Sequence, residues 1–479
     1  MEHGTVSVLW TRGGTPAPRG SSRRPDSGWG STTGHAGAAN LASNVRLTET
    51  RSRDREYLVR ERACRRLAAQ PLRTTARGEA GSGTPYETEI PVTAAWAATG
   101  GGDAPLVLAG VKATPAFRTN VILAETSGSA ARVALRLFDW TGKETASVTA
   151  DVPPLGSVQF PLAEKLGIAS FEAASFEAAS LWVEPVAGTG RVTAIGTVID
   201  NDSASFSVVT GVPSAPRPAE TVVIPSIVHA RGNGSYFTTD LSIANVTLSP
   251  VTLRLVYAYA GTDALGAAVS GETAKEVTIA ARGSLPIGYG NDVIRRLFLF
   301  SPESNTSGTL RITGATSSIV ARAVVSTPVN LLDATKGTKS AEFAGYSASS
   351  PEAVSGTSGY VLYPGLDKND RERVNLILTE VAGGNATVKV RLLSAVEGGL
   401  LGEKTFSLSA YQKVQVNDLW NGPDGFSLGT FPQDRVMVTL EGAGSGSGRV
   451  VGALTPVENA SNSPRILPLA PPAPPVPFR

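Results

Sequence analysis

One short pattern occurs three times along the 479-residue chain, as FRTNVIL at 117–123, FTTDLSI at 237–243 and RVNLIL at 373–378. After the polar residue at 120, 240 or 375, apolar residues recur two positions apart in each copy, which is the spacing of an alternating strand. This alternation predicts a β-strand with one buried face, because residues two apart point to the same side of a sheet. Six side chains, two from each copy, are therefore predicted to lie in the core: Val121, Leu123, Leu241, Ile243, Leu376 and Leu378.

The elements that follow each copy recur in the same order. A second strand is followed by a third (157–160, 284–287 and 413–416), by a helix-prone piece (162–166, 292–298 and 417–420) and by two paired strands. About seven short strands at this spacing favour two packed antiparallel sheets. The sequence thus predicts an all-β chain of three tandem immunoglobulin-like antiparallel β-sandwich modules, each with one short helix, after a disordered N-terminal segment.

Composition sets the predicted boundaries. Residues 1–84 contain 14 Arg, no Lys and seven acidic residues, and their Gly, Ser, Thr and Pro content predicts disorder. The β-sandwich modules are predicted at 85–212, 219–346 and 357–466. The remaining residues, 467–479, form a Pro-rich tail that favours polyproline II. This tail is interpreted as a stiff terminal spacer or as the stub of a truncated anchor, although the spacing of Pro474, Pro477 and Arg479 is one that proline-binding modules recognise.

The remaining composition excludes several functional classes. The net charge of +2 excludes a strongly basic nucleic-acid-binding protein, and the single Cys excludes an internal disulfide or a zinc site made of several thiolates. No run of 18 apolar residues is present, so no membrane-spanning helix is predicted. The nucleophile elbow, the zinc-protease helix and the phosphate-binding loop are also not found. We therefore expect no enzymatic activity and no cofactor.

A few residues are nevertheless candidates for binding. Asp200 and Asp202 follow a predicted strand and could bind Ca²⁺, but the favoured interpretation is a turn held by Asx side chains. His229 is interpreted as a surface side chain at a strand end. Trp140 and Trp420 could form aromatic platforms for a glycan.

A polar residue also recurs inside the repeated strand, as Asn120, Asp240 and Asn375. One hypothesis is that each copy contacts a ligand or a neighbouring subunit. The favoured hypothesis is that each side chain satisfies a backbone group of a loop at the rim of the sandwich.

The repeats, above all 117–123, 156–160 and 411–418, resemble tandem immunoglobulin-like β-sandwich repeats of large bacterial exported and cell-surface proteins. In those repeats an aromatic-x-Thr-Asp/Asn-Leu-x-Ile-x-Asn phrase occurs once per module. The resemblance implies an extracellular or cell-surface location and a structural or adhesive role, with no catalytic residues to transfer. The first ten residues do not match a secretory signal, and the second module has extra residues near 261–271; both depart from the pattern.

We therefore expect a spacer, an adhesin or an assembly component that contacts a protein or a cell surface and self-associates through its edge strands. Carbohydrate-binding accessory modules are the first alternative. An enzyme with an unrecognised acidic site is the second.

Overall fold

The computed structural model describes residues 74–79, 85–90, 98–168, 176–215, 217–232, 235–286, 288, 290–333, 336–357, 359–369, 371–428, 435–459 and 464–471. Strands β1 (Thr74–Glu79) and β2 (Pro85–Ile90) form an antiparallel hairpin. Residues 74–79, which belong to the segment predicted to be disordered, form a strand instead. They do so because β2 offers hydrogen-bond partners to their backbone, and amino-acid composition does not show such pairing. Residues 1–73 and 80–84 of that prediction lie outside the described residues.

The next strands form two antiparallel sheets, which we call unit 1. They are β3 (Leu106–Ala113), β4 (Phe117–Glu125), β5 (Ala131–Phe138), β6 (Glu144–Val152), β7 (Ser157–Pro161), β8 (Phe176–Gly188), β9 (Val192–Asp200), β10 (Phe206–Thr210) and β11 (Val212–Pro213). One sheet has the order β11-β3-β8-β5-β6, and the other has the order β10-β9-β4-β7. A single helical turn, α1 (Leu162–Lys165), follows β7.

Unit 2 repeats this arrangement with longer strands. They are β12 (Val222–Gly232), β13 (Ser235–Asn245), β14 (Val251–Thr262), β15 (Ala268–Ile279), β16 (Asn305–Gly314), β17 (Ile319–Pro328) and β18 (Thr338–Ala344). They form one continuous sheet, β15-β14-β16-β12-β13-β17-β18, because the ends of β12 and β13 pair with each other. Helix α2 (Val293–Arg296) lies between β15 and β16, and a 3-10 turn spans Thr316–Ser318.

Unit 3 consists of β19 (Val354–Ser355), β20 (Tyr360–Asp367), β21 (Glu372–Glu380), β22 (Ala386–Ser394), β23 (Leu400–Leu408), β24 (Lys413–Val416), β25 (Arg435–Gly442), β26 (Arg449–Glu458) and β27 (Leu467–Pro468). Its sheets have the orders β19-β26-β21-β24 and β20-β25-β22-β23, and β27 also pairs with β26.

Corresponding strands therefore take corresponding places in the three units. We call β3-β8-β5-β6, β12-β16-β14-β15 and β20-β25-β22-β23 the front sheets, and the sheets that contain β4, β13 and β21 the back sheets. The predicted all-β sandwich class is confirmed. Each of the six predicted core side chains is at most 3% exposed and belongs to the apolar core of its unit.

The strand order also bears on the immunoglobulin-like part of the prediction. In units 1 and 3 the first and second long strands lie in opposite sheets, whereas they are neighbours in one sheet of an immunoglobulin constant domain. In unit 2 the ends of β12 and β13 pair with each other. The packed antiparallel sheets are shown, and the immunoglobulin-like part remains a prediction. The predicted domain boundaries remain predictions.

Three local expectations differ from the structure. Residues 417–420 form turns instead of a short helix, and Ser284 makes only an isolated bridge to Ala244 where a third strand was predicted. The start of the predicted tail belongs to unit 3, because Leu467 and Leu469 are buried in its core. The chain stays extended there, as its prolines favour, because Leu467–Pro468 pairs with β26 as strand β27. Within the described ranges, no helix is long and apolar enough to cross a membrane.

Candidate functional site

The front sheet of unit 1 packs against the back sheet of unit 2. Four side chains of unit 1 share an apolar cluster with two of unit 2: Val107, Ala109, Phe138 and Trp182, with Ala244 and Val320. The backbones approach closely at Gly110, which has a φ of +78°, and a Cβ added there would lie 2.3 Å from Ser242 Oγ. Glycine is required at this position both by its conformation and by the space available.

Charged groups are buried beside this cluster. Arg322 of β17 donates to Glu342 of β18 at 2.6 Å, and the two side chains are 5% and 16% exposed. Burial raises the pKa of Glu342 to about 7, although the Arg322 guanidinium opposes the shift. Lys112 of unit 1 makes a second ion pair, at 3.2 Å, with Asp240 of unit 2. The junction between units 1 and 2 thus contains one buried ion pair and one partly buried pair that crosses it.

Asp200 contributes a further contact to this junction. Its Oδ1 accepts hydrogen bonds from the N–H groups of Asp202 and Ser203, as in an Asx turn, and its Oδ2 accepts from the N–H and Oγ1 of Thr338 in unit 2. Among the described residues, no group of three or more His, Cys, Asp and Glu side chains is arranged to hold a metal ion. The geometry at Asp200 is that of a turn and an inter-unit contact.

The front sheet of unit 2 packs against the back sheet of unit 3 in the same way. Val223 of β12 packs with Val381 and Val451 of unit 3, and Thr379 Oγ1 donates to the Pro225 carbonyl at 3.2 Å. The polar chemistry differs from that of the first junction. Lys413 Nζ donates to Ser226 Oγ at 3.3 Å, and burial lowers the pKa of Lys413 to about 8.

Cation–aromatic packing adds to the second junction. The Arg311 guanidinium lies 4.8 Å from the centre of the Tyr411 ring, and Tyr411 OH lies 3.5 Å from Thr221 Oγ1. Arg311 also pairs with Glu272 at 2.6 Å, but the carboxylate is 55% exposed. The second junction therefore has its charged groups nearer to solvent, with Lys413 as the exception.

Two of the recurring polar residues, Asp240 and Asn375, each accept a hydrogen bond from a backbone N–H group of a loop in the same unit. Asp240 Oδ1 accepts from the Asp292 N–H at 3.0 Å, and Asn375 Oδ1 accepts from the Asp418 N–H at 3.1 Å. Asp292 and Asp418 both have positive φ, which aspartate tolerates better than most residues. This geometry matches the rim hypothesis.

Unit 1 departs from this pattern for a chemical reason. Pro161 precedes the buried Leu162 as Asp292 precedes the buried Val293, but proline has no N–H to donate. Asn120 Oδ1 is accordingly buried without a hydrogen-bond partner among the described residues.

A second repeated polar position was missed by the sequence analysis. The repeated strand ends in each unit at Glu125, Asn245 or Glu380, always five residues after the first polar position. Glu125 accepts backbone hydrogen bonds from Ser127, Gly128, Leu155 and Arg191. The constant spacing in the sequence was a signal that could have found this position.

The three members organise the same end of each sandwich. Glu380 accepts from the N–H groups of Ala382, Gly383, Tyr411 and Arg449, and Asn245 accepts from Thr247 while its Nδ2 donates to loop carbonyls. Burial opposes the ionisation of Glu125, but the hydrogen bonds from Ser127, Leu155 and Gly128 outweigh it and lower its pKa to about 2. These side chains hold loops together.

The remaining sequence candidates are dispersed. Trp420 is 3% exposed in the core of unit 3, so its ring cannot stack on a sugar from solvent, because the turn after β24 folds it inward. Trp140 is 39% exposed, and its carbonyl accepts from the Ser284 N–H of unit 2. The structure does not bring these two rings into one platform.

The interpretation of His229 as a surface residue is wrong. Its side chain is fully buried, with Nδ1 2.9 Å from Asp292 Oδ1 and Nε2 2.8 Å from Tyr236 OH. The Pro302 carbonyl lies 3.4 Å from Nε2, so the loop at 302 covers the ring. His229 connects β12 to the start of α2.

Unit 2 also has a groove beside its β14–β15 hairpin. Strands β14 and β15 pair as far as Thr262 and Ala268, so their hairpin projects beyond the repeated framework. The hairpin and the loop at 300–304 enclose about 380 Å³, lined by Tyr259, Asp263, Ala264, Leu265, Val269, Phe300, Ser301 and Ser304. The extra residues near 261–271 that the sequence shows therefore form one wall of this groove.

Comparisons with known proteins identify no family. No protein-family model and no curated protein matches the chain. A β-glucuronidase of Bacteroides uniformis aligns at 10% identity and a TM-score of 0.12, over 50% of this chain and 25% of its own. A VLP asymmetric unit of the human norovirus GI.7 Houston strain aligns at 10% identity and a TM-score of 0.13, over 70% and 83%. This chain therefore spans about a quarter of the glucuronidase chain, and at these TM-scores neither alignment carries an argument.

Proposed function

We propose that this chain is a non-enzymatic structural or adhesive repeat protein that acts as a stiff extracellular spacer or assembly component. The observation that supports this proposal is the repeated stacking of a front sheet on the next back sheet. Units joined only by linkers move relative to one another unless their interface is extensive and apolar. Both junctions here contain fully buried apolar side chains such as Val107 and Val223.

The stacking is directional, because a front face always meets a back face. Head-to-tail contacts of this kind can repeat along a chain or between chains. The outer side of the front sheet of unit 3 carries the ion pairs Lys389–Glu403, Arg391–Glu403 and Arg391–Glu441, and the front sheet of unit 1, which stacks on unit 2, carries the corresponding pairs Arg136–Glu144 and Arg136–Glu184. Ion pairs on a front sheet are therefore compatible with stacking, and we propose that self-association uses the edge strands.

Small-angle X-ray scattering tests the stiffness on which the proposal depends. We expect one fixed arrangement of the units to fit the profile of the folded protein. Ala244→Asp, which places a charge in the first junction, should loosen the stack, whereas Leu248→Asp at a 73% exposed position should not. A wild-type profile that fits only independently moving units would contradict the proposal.

The location is tested separately. Cells of a bacterial host that express the full chain should expose it to added protease at the surface or release it into the medium. Recovery solely from the cytoplasm, protected from protease until lysis, would oppose the extracellular role while leaving the stiffness result intact.

A further inference from the structure

We propose that the groove of unit 2 binds the Pro-rich segment of this chain, residues 471–479. The groove lies on the hairpin that projects from the repeated framework, and its tip is not needed to complete the sandwich core. Leu265 at that tip is 93% exposed, and Leu299 beside the opposite wall is 72% exposed. Exposed apolar side chains on both sides of an open groove are typical of a binding surface.

The groove has the chemistry that polyproline recognition uses. Tyr259 and Phe300 pack edge to face, with ring centres 4.9 Å apart, and line an apolar floor. Ser301 and Ser304 lie along one side, where the Ser301 hydroxyl donates to Glu303 and the Ser304 hydroxyl donates to the Ser301 carbonyl. A polyproline II segment offers apolar rings and backbone carbonyls with no internal hydrogen bonds, and aromatic-lined grooves bind such segments.

The tail has the matching pattern. Pro474 and Pro477 are three residues apart, so they lie on the same side of a helix that has three residues per turn. Arg479 follows two residues later and carries a positive charge. Asp263 at the groove tip supplies negative charge, whereas the charge of the exposed Glu303 is offset by the nearby Arg231 and Arg295. The Asp263 charge sets an orientation for the segment.

The tail leaves unit 3 at a defined place. Ala470 exchanges backbone hydrogen bonds with Leu362 of β20, so the segment begins directly after a fixed residue. Nine residues of polyproline II extend about 28 Å. A dilution series distinguishes binding to the groove of its own chain from binding to the groove of a second copy.

A labelled peptide of residues 470–479 tests the proposal on protein that ends at Pro471, which retains every described residue. Fluorescence anisotropy should show saturable binding. Leu265→Ser should weaken it at least about fivefold, because one exposed apolar contact is lost. Leu332→Ser, at a 97% exposed leucine outside the groove, should leave it unchanged. Peptides with both Pro474 and Pro477 changed to Ala should lose binding, and Arg479→Glu should weaken it.

Three results would overturn the proposal. They are the absence of saturable binding up to millimolar protein, an equal loss with Leu265→Ser and Leu332→Ser, and binding of a scrambled peptide as tight as that of the native one. Binding of oligosaccharides that is abolished by Leu265→Ser, with no peptide binding, would assign the groove to glycans instead. None of these results depends on whether the units stack stiffly.

Discussion

The junction between units 1 and 2 and the junction between units 2 and 3 use the same pair of sheet faces but hold different charges. The first contains the Arg322–Glu342 and Lys112–Asp240 pairs. The second contains Lys413, whose hydrogen-bond partner among the described residues is Ser226. Stacking geometry is thus compatible with either chemistry, because the backbone framework and the apolar contacts are shared and the polar contacts are local additions.

One pair of equivalent positions shows this divergence clearly. The Lys112 N–H donates to Thr119 Oγ1, and the Val228 N–H donates to Thr239 Oγ1, so Lys112 and Val228 correspond. Asp240 corresponds in turn to Asn375 through their contacts with the following loop. The charged Lys112 and Asp240 of the first junction therefore correspond to the neutral Val228 and Asn375 of the second.

The largest expected effect is the loss of the buried carboxylate from the first junction. Glu342→Ala leaves the Arg322 guanidinium buried without its counter-ion, which should lower the free energy of unfolding by about 3–5 kcal/mol. Urea denaturation at pH 8 measures it. The matched control is Glu272→Ala at the second junction, where the ion pair is equally short but the carboxylate is 55% exposed. Equal losses in the two variants would erase the distinction between the junctions.

The two junctions should also respond oppositely to pH. Glu342 has a pKa raised from 4.5 to about 7, so the folded state holds its proton more tightly and loses stability as pH rises through that window. Lys413 has a pKa lowered from 10.5 to about 8, so stability is gained as pH rises from 8 to 10.5. We expect changes of about 1–3 kcal/mol in each window.

Differences between variants isolate these contributions from those of other titrating groups. The unfolding free energy of Glu342→Gln should lack the fall that the wild type shows between pH 4.5 and 7. That of Lys413→Met should lack the rise that the wild type shows above pH 8. A wild-type curve that runs parallel to both variants would refute the assignment.

Replacing Asp240 of the first junction with Asn, the residue type of its counterpart Asn375, should have a smaller effect on the free energy of unfolding. Asp240→Asn retains the acceptor for the Asp292 N–H, as Asn375 does for Asp418, but removes the partner of Lys112. We expect a loss of about 1 kcal/mol. A double-mutant cycle with Lys112→Met measures the coupling directly, and additive losses would show that the ion pair contributes nothing.

The smallest effect is expected at Lys413. Replacing it with Met removes a desolvated ammonium while keeping a flexible apolar chain, so stability at pH 7 should rise by about 0.5–1 kcal/mol. Lys143→Met at an exposed position is the control and should leave stability unchanged. A destabilised Lys413→Met protein would indicate that its hydrogen bond to Ser226 outweighs desolvation.

Much of the framework could be predicted, because strand alternation is a local property. Val121, Leu241 and Leu376 were identified as core residues from their spacing alone. The contacts of Asp240 and Asn375 with loop N–H groups follow from the same repeat. The unpartnered Asn120 could be understood only once Pro161 was placed opposite it in the sheet.

Other features depended on contacts between distant parts of the chain. His229 and Trp420 carry ordinary surface-compatible signals at a strand end and in a turn, and their burial results from loops that fold over them. The junction residues Ala109 and Val223 look in the sequence like any outward-facing strand residue. Nothing local distinguishes an outer face that meets solvent from one that meets another sheet.

The sequence by itself determined the all-β class and the six core positions of the repeated strand, since the period of two and the turn residues are properties of neighbouring residues. Only the tertiary structure decided that front sheets stack on back sheets, which charges become buried there, and that the extra residues of unit 2 form a groove. The physical reason is that desolvation depends on which surfaces meet in space, and residues such as Arg322 and Val208 are brought together across 114 positions of the chain.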